Sequence, residues 1–220
     1  MKDTTKGSIV LTLEDNEKKC IEEIALAGFL WDWIPHPDDS IDLCCMPIAG
    51  IMQEVKSQGK TCMIKSLEPC HIPSRDVLVR MTVNETLLVI GYPTGLWDEV
   101  NNLLIVRRGL AATRPEIDYN GLPIFLVDAA IHPGSSGSPI AALSEGVIVD
   151  GASLTFGRNR LMFLGIMSAV YQTDVTGRLV STKIPTTQQV QVQSFIPINL
   201  GIAIQSRKVL DFKRQLVNSD

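Results

Sequence analysis

The sequence carries no basic excess: 20 Lys and Arg stand against 24 Asp and Glu in 220 residues, a net charge of -4. A phosphate backbone or an anionic membrane surface would meet no positive field, so neither nucleic acid nor membrane is an expected partner. The first residues, MKDTTKGSIVLTLEDNEKK, lack an apolar core long enough for a secretory signal, and no later run approaches the roughly 18 uncharged apolar residues of a membrane helix. These absences predict a soluble, cytoplasmic chain. Cysteine offers no framework either. There are five, an odd number, with Cys44 and Cys45 adjacent and no Cys-x-x-Cys pair, which predicts free thiols. Cys62, Cys70 and His71 lack a fourth ligand for zinc, and no phosphate loop or dinucleotide fingerprint occurs, so neither metal nor cofactor is expected. Aromatics are only 5% of the chain, and Trp31 and Trp33 read as packing residues rather than a base-stacking platform.

What remains is a chain with 45% hydrophobic residues, 16 glycines and 12 prolines, the composition of a globular protein built from short elements. Strand patterns occur at Ser8 to Leu13, Ile24 to Trp33, Ser40 to Ile48, Val77 to Val83 and Thr86 to Gly91. More follow at Asn102 to Arg107, Ile124 to Ala129, Gly146 to Asp150 and Leu161 to Val170. Many short strands separated by Gly and Pro turns predict an antiparallel all-β sandwich or barrel. Helical spacing is weak over Ile51 to Ser57 and better over Ser206 to Val217, where Val209, Leu210, Phe212, Leu216 and Val217 share a face. Thr173 to Gln193 is polar and reads as a long surface loop or hairpin. The bracketing prolines of Glu68 to Pro73 mark a link between two halves, residues 1–72 and 73–220.

Chemistry concentrates in Phe125-Leu126-Val127-Asp128-Ala129-Ala130-Ile131-His132-Pro133-Gly134-Ser135-Ser136-Gly137-Ser138-Pro139-Ile140. An apolar strand enters a tight Gly-Ser-Ser-Gly turn. Glycines on both sides of a serine allow a sharp bend that projects the hydroxyl while neighbouring N–H groups converge, as a nucleophile with an oxyanion hole requires. Local composition alone favours the other reading, an ordinary Gly/Ser/Pro loop.

This stretch resembles the active-site segment of chymotrypsin-fold serine peptidases, and especially the bacterial trypsin-like and HtrA-type branch, where Asp-Ala leads into Pro-Gly-Asn-Ser-Gly-Gly-Pro. Here Ser135 replaces the Asn and Ser138 the last Gly. Gly91-Tyr92-Pro93-Thr94-Gly95, Gly165-Ile166-Met167-Ser168 and Asn199-Leu200-Gly201-Ile202-Ala203-Ile204 are similar to further segments of that branch, in the same order. The resemblance implies two antiparallel β-barrels, the first N-terminally incomplete, and a closing C-terminal helix. It implies Ser136 as nucleophile, the N–H groups of Gly134 and Ser136 as oxyanion hole, and Asp42, within Ser40 to Pro47, as the acid that orients a histidine. Ala130, Ser168, Ala169 and Val170 would line the primary pocket. With Ala130 where trypsin-like enzymes place an acid, a small or medium apolar side chain is expected before the scissile bond.

The base is the departure. The family carries its histidine upstream of the acid in a Thr-x-x-His-Val type motif, and no such motif precedes Asp42. His36, His71 and His132 are the three histidines, and none occupies the matching position. Two expectations follow: a chain that begins inside its domain, or a complete one that has lost its base. The functional expectation is a serine endopeptidase domain acting on polypeptide and inactive without its base. The alternative is a non-catalytic homologue serving as a peptide-binding or scaffolding module. Oligomeric state is left open.

Overall fold

The structure is a computed structural model that describes residues 7–15, 18–26, 33–81, 85–132, 134–144, 147–150, 153–156, 160–178 and 191–217. Its strands are β1 (Gly7–Asp15), β2 (Lys18–Leu26), β3 (Ile34–Pro35), β4 (Cys44–Cys45), β5 (Thr61–Cys62), β6 (Thr86–Gly91) and β7 (Ile105–Ala111). They continue with β8 (Ile124–Ala129), β9 (Pro139–Ser144), β10 (Val147–Asp150), β11 (Ser153–Phe156), β12 (Arg160–Arg178) and β13 (Gln191–Gln205). Three short helices join them: α1 (Ala49–Ser57), α2 (Arg75–Val79) and α3 (Lys213–Val217).

Six strands close into an antiparallel barrel in the order β12-β13-β8-β7-β6-β9. Period-two alternation builds its interior: Leu87 and Val89 of β6, Phe125 and Val127 of β8, and Ile140 and Ala142 of β9 are all buried there. On β12 the inward set passes from Met162 and Leu164 to Met167, a change of parity. A register shift between Phe163 and Gly165 against β9 accounts for it, because one extra residue turns every following side chain to the other face.

Closure demands glycine where strands cross closely. A Cβ on Gly109 of β7 would lie 2.6 Å from both the Ala129 Cβ and the Asp128 carbonyl oxygen of β8. This explains why β7 runs through to Ala111 although the Arg107-Arg108-Gly109 sequence reads as a strand end.

The N-terminal part is an all-β arrangement of another kind. Among the described residues it has a three-stranded sheet, β2-β1-β5, and a two-stranded ladder, β3-β4, with no second closed barrel. The two-barrel expectation is thus met by one barrel only. Three polar ties hold this part to the barrel: Asn102 Nδ2 donates to Thr12 Oγ1 at 3.1 Å, Ser168 Oγ donates to Asp42 at 3.0 Å, and His36 is buried against Lys208 and Asp211.

Several element boundaries differ from the sequence expectation. Val77 to Val83 is no strand: Arg75–Val79 is helical, with Val77 and Leu78 packed against the barrel core, and 82–84 lie outside the described residues. Apolar residues one apart suit a buried strand and a short capping helix alike. Within Ser40 to Ile48 only Cys44 and Cys45 form a ladder. The expected strand at Ile24 to Trp33 ends at Leu26, and residues 27–32 lie outside the described set. The polar stretch from Thr173 is strand as far as Arg178 and again from Gln191, while 179–190 lie outside. The C-terminal helix is a 3-10 helix over Ser206–Phe212 before α3 begins. All five cysteines are free thiols. No helix among the described residues is long and apolar enough to cross a membrane.

Candidate functional site

The Ser-rich segment leaves the barrel at the end of β8. Ile131, almost wholly buried, anchors the departure, and its N–H turns back to the Ala129 carbonyl at 2.7 Å. Gly134 (φ 90°) and Gly137 (φ 85°) then take left-handed backbone conformations that a side chain would strain. Ser135 N–H bonds the His132 carbonyl (3.1 Å) and Ser138 N–H bonds the Ser135 carbonyl (3.2 Å), so the segment is two consecutive tight turns. It is strapped to β12 by a reciprocal pair: Gly137 N–H to the Met167 carbonyl at 2.8 Å, and Met167 N–H to the Ser138 carbonyl at 2.9 Å.

Within this frame the three serines separate. Ser135 and Ser138 are buried and Ser136 is exposed. Three amide groups of the turn are consumed by the bonds above. Those of Gly134 and Ser136 have no partner among the described residues. A tight turn with left-handed glycines and unpaired N–H groups is a concave donor surface for an oxygen carrying negative charge.

Ser168 follows Met167 on β12 at a second register shift, where Met167 faces Ala203 and Ala169 faces Ile202. It is the extra residue of the bulge, and bulges re-aim side chains. Its hydroxyl donates to Asp42 Oδ2 at 3.0 Å. Asp42 is presented by a turn in which Ile41 N–H bonds the Asp38 carbonyl (3.0 Å) and His36 N–H bonds the Leu43 carbonyl (2.9 Å). Hydrogen bonds from the Ser40 hydroxyl and then the Ser40 N–H hold the Asp38 carboxyl below the usual aspartate range. Asp38 is therefore engaged in shaping the turn that carries Asp42. Asp42 thus bonds Ser168, and the neighbouring Met167 is the residue to which the Ser136 turn is strapped.

The histidines do not join them. His36 is buried: its Nδ1 accepts from Asp38 N–H at 3.0 Å, and its Nε2 faces the Lys208 carbonyl (3.2 Å) and the Asp211 carboxylate (3.3 Å). Its ring meets Phe212 edge-on at 5.3 Å. His71 Nδ1 accepts from Glu68 N–H at 2.8 Å, capping a single 3-10 turn. The half-buried side chain of His132 bonds no described residue.

Comparison of the sequence with family models and with curated proteins gives no significant match.

Of the residues expected in a primary pocket, Ala169 is exposed and Val170 is packed against the barrel core. Ala130 is exposed, and its carbonyl accepts from the Arg107 guanidinium. Sequence reading passed over Arg107, because nothing in a strand pattern shows that its side chain reaches back from β7 to the turn. A second omission is the wall facing Ser136. A cavity of about 240 Å³ is lined by Gly134, Ser136, Gly137, Ser138 and Pro139 on one side and by Ile90, Gly91, Tyr92 and Leu104 on the other. A larger cavity of about 580 Å³ shares no residue with it. The charged residues on that cavity's wall include Glu116, Asp118 and Arg207, which are engaged in ion pairs, Arg114–Glu116 and Arg207–Asp118, both at 2.5 Å. Among the described residues no group of three or more metal-ligating side chains converges.

Proposed function

We propose that the chain is a serine-peptidase-like domain that engages polypeptide at the Ser136 turn, with acyl transfer as its chemistry. The observation that carries this reading is the pairing, in one tight turn, of an exposed serine with the unpartnered N–H groups of Gly134 and Ser136. In the reaction, Ser136 Oγ bonds to the substrate carbonyl carbon while its proton passes to a base. The carbonyl oxygen takes up negative charge against the two N–H groups, and the C–N bond then breaks as the amine receives the proton. Water repeats the sequence to release the acid. Asp42, held by Ser168, supplies the carboxylate against which a histidine would be oriented.

Neither His36 nor His71 is available as that base, since the accepting Nδ1 of each is already bonded to backbone. The chain as it stands is expected to react with a fluorophosphonate no faster than its Ser136→Ala variant. A variant that carries a histidine beside Asp42 is expected to label at Ser136, and to lose labelling in Ser136→Ala. Mass spectrometry of the labelled peptide decides: labelling elsewhere, or labelling that survives Ser136→Ala, refutes the assignment.

The commitment of these histidines favours a second reading, a peptidase-like domain that binds peptide without cleaving it. Wherever cleavage is obtained, residues before the scissile bond are expected to be small or medium and apolar. Ala130 itself carries no charge to attract a basic side chain, and the Arg107 guanidinium beside it opposes Lys and Arg. A peptide-library profile dominated by basic residues would overturn this.

A further inference from the structure

We infer that the 92–104 loop between β6 and β7 is a docking arm for an extended polypeptide segment with apolar side chains, leading away from Ser136. The loop displays apolar surface that folding would ordinarily hide. Val100 is 83% exposed and Leu96 60%, and Trp97, Leu103, Leu104 and Tyr92 are exposed too. A patch of this kind on a surface loop marks a site of association.

The loop is built, not slack. Asp98 and Leu103 exchange backbone hydrogen bonds at 3.0 and 3.2 Å. The Asp98 carboxylate accepts from the N–H groups of Val100 (3.1 Å) and Asn101 (3.0 Å) and from Asn101 Nδ2 (2.8 Å). The Asn101 side chain first, and its backbone N–H next, hold the Asp98 carboxyl below the usual aspartate range. Asn102 takes φ 51° and ties the tip to Thr12, while Tyr92 and Trp97 meet edge-on at 6.4 Å. Apolar side chains are therefore held outward on a preformed support, which lowers the ordering cost of binding.

The occupant is fixed by continuity with the cavity at Ser136. Tyr92 and Leu104 belong both to the exposed arm and to the cavity wall, opposite the unpartnered N–H groups of Gly134 and Ser136. A ligand filling both must offer an acceptor oxygen to the N–H groups and apolar side chains to Tyr92, Leu104 and the arm beyond them. An extended polypeptide does so at about 3.3 Å per residue. Glu99, exposed at the tip, disfavours an anionic lipid surface. That the chain runs here on the leaving-group side of Ser136 rests on the proposed function; that it binds here does not.

The test is fluorescence anisotropy with a fluorescein-labelled ten-residue peptide of alternating Leu and Lys, against the same peptide with Ser for Leu. The Leu peptide is expected to bind and the Ser peptide not. Leu96→Ser/Val100→Ser, which touches only exposed side chains, is expected to weaken binding about tenfold or more. Val106→Ser/Leu110→Ser, also exposed on β7 but off the arm, is expected to leave it unchanged. Undiminished binding by the arm variant, or equal loss in the β7 variant, overturns the inference. So does self-association or binding to anionic vesicles that the arm variant alone abolishes. Ser136 labelling, measured in parallel, separates the two readings: its failure with arm-dependent binding intact removes the nucleophile and the direction only, and its success without arm dependence removes the docking arm only.

Discussion

Gly165→Ala is expected to lower the melting temperature by about 6–12 °C, following from a loss of roughly 3 kcal/mol in a chain of this size. Gly165 lies in the β12–β13 ladder, opposite Gln205 and one pair from Ile166 and Ile204. A methyl group there would fall inside contact distance of the Ile204 carbonyl oxygen, and 2.9 Å from Cε1 of the fully buried Phe125. Neither neighbour can give way cheaply. The oxygen belongs to the backbone of a strand paired on both sides, and the ring fills the barrel centre at interior packing density. Gly50→Ala in α1 is the control: a Cβ there meets nothing within 4 Å, and alanine favours the helix by about 1 kcal/mol. Thermal circular dichroism on both variants checks the contrast. Equal melting temperatures would mean that the β12–β13 crossing tolerates separation.

That crossing shows which parts of the fold sequence could disclose. β6 and β8 read correctly because alternation is local: Leu87, Val89, Phe125 and Val127 declare their inward face within one strand. Gly109 could not be read as mid-strand, because its reason is Ala129, twenty residues on. Val77 and Leu78 could not be assigned to a helix, because what makes them pack as one is the barrel end they cover.

The site divides along the same line. The Ser136 turn was legible because glycine-flanked serine is a local backbone statement. The Ser168–Asp42 bond was not, since it depends on a bulge whose position is set by the partner strand. The docking arm was missed for a different reason. A run such as Leu96-Trp97 or Leu103-Leu104 looks like core in sequence, and only its support by Asp98 and Asn102 turns it outward.

Gly91→Ala is expected to reach the Ser136 turn from the opposite strand while leaving the barrel folded. At Gly91 a methyl group would collide with the Ser138 hydroxyl and lie 3.0 Å from its Cβ and 3.6 Å from its Cα. The hydroxyl can rotate away. The Cβ and Cα cannot, because Ser138 is fixed through its N–H to Ser135 and through its carbonyl to Met167. The turn must shift by a few tenths of an ångström, at a cost of about 1–2 kcal/mol of stability. Where Ser136 labelling is obtained, the rate is expected to fall by roughly 10- to 100-fold, as small displacements of a reacting group do. Ser138→Gly removes the obstructing hydroxymethyl group, so the double variant Gly91→Ala/Ser138→Gly is expected to regain most of both losses. In a double-mutant cycle by urea unfolding, the coupling should be about 1 kcal/mol or more, and favourable. The cycle needs no catalytic base, so it tests the packing of the turn whether or not the chain is an enzyme. Strict additivity would mean that Gly91 is not what makes room for Ser138. A recovery of stability without recovery of labelling would place the damage at Ser136 itself rather than in the support beneath it.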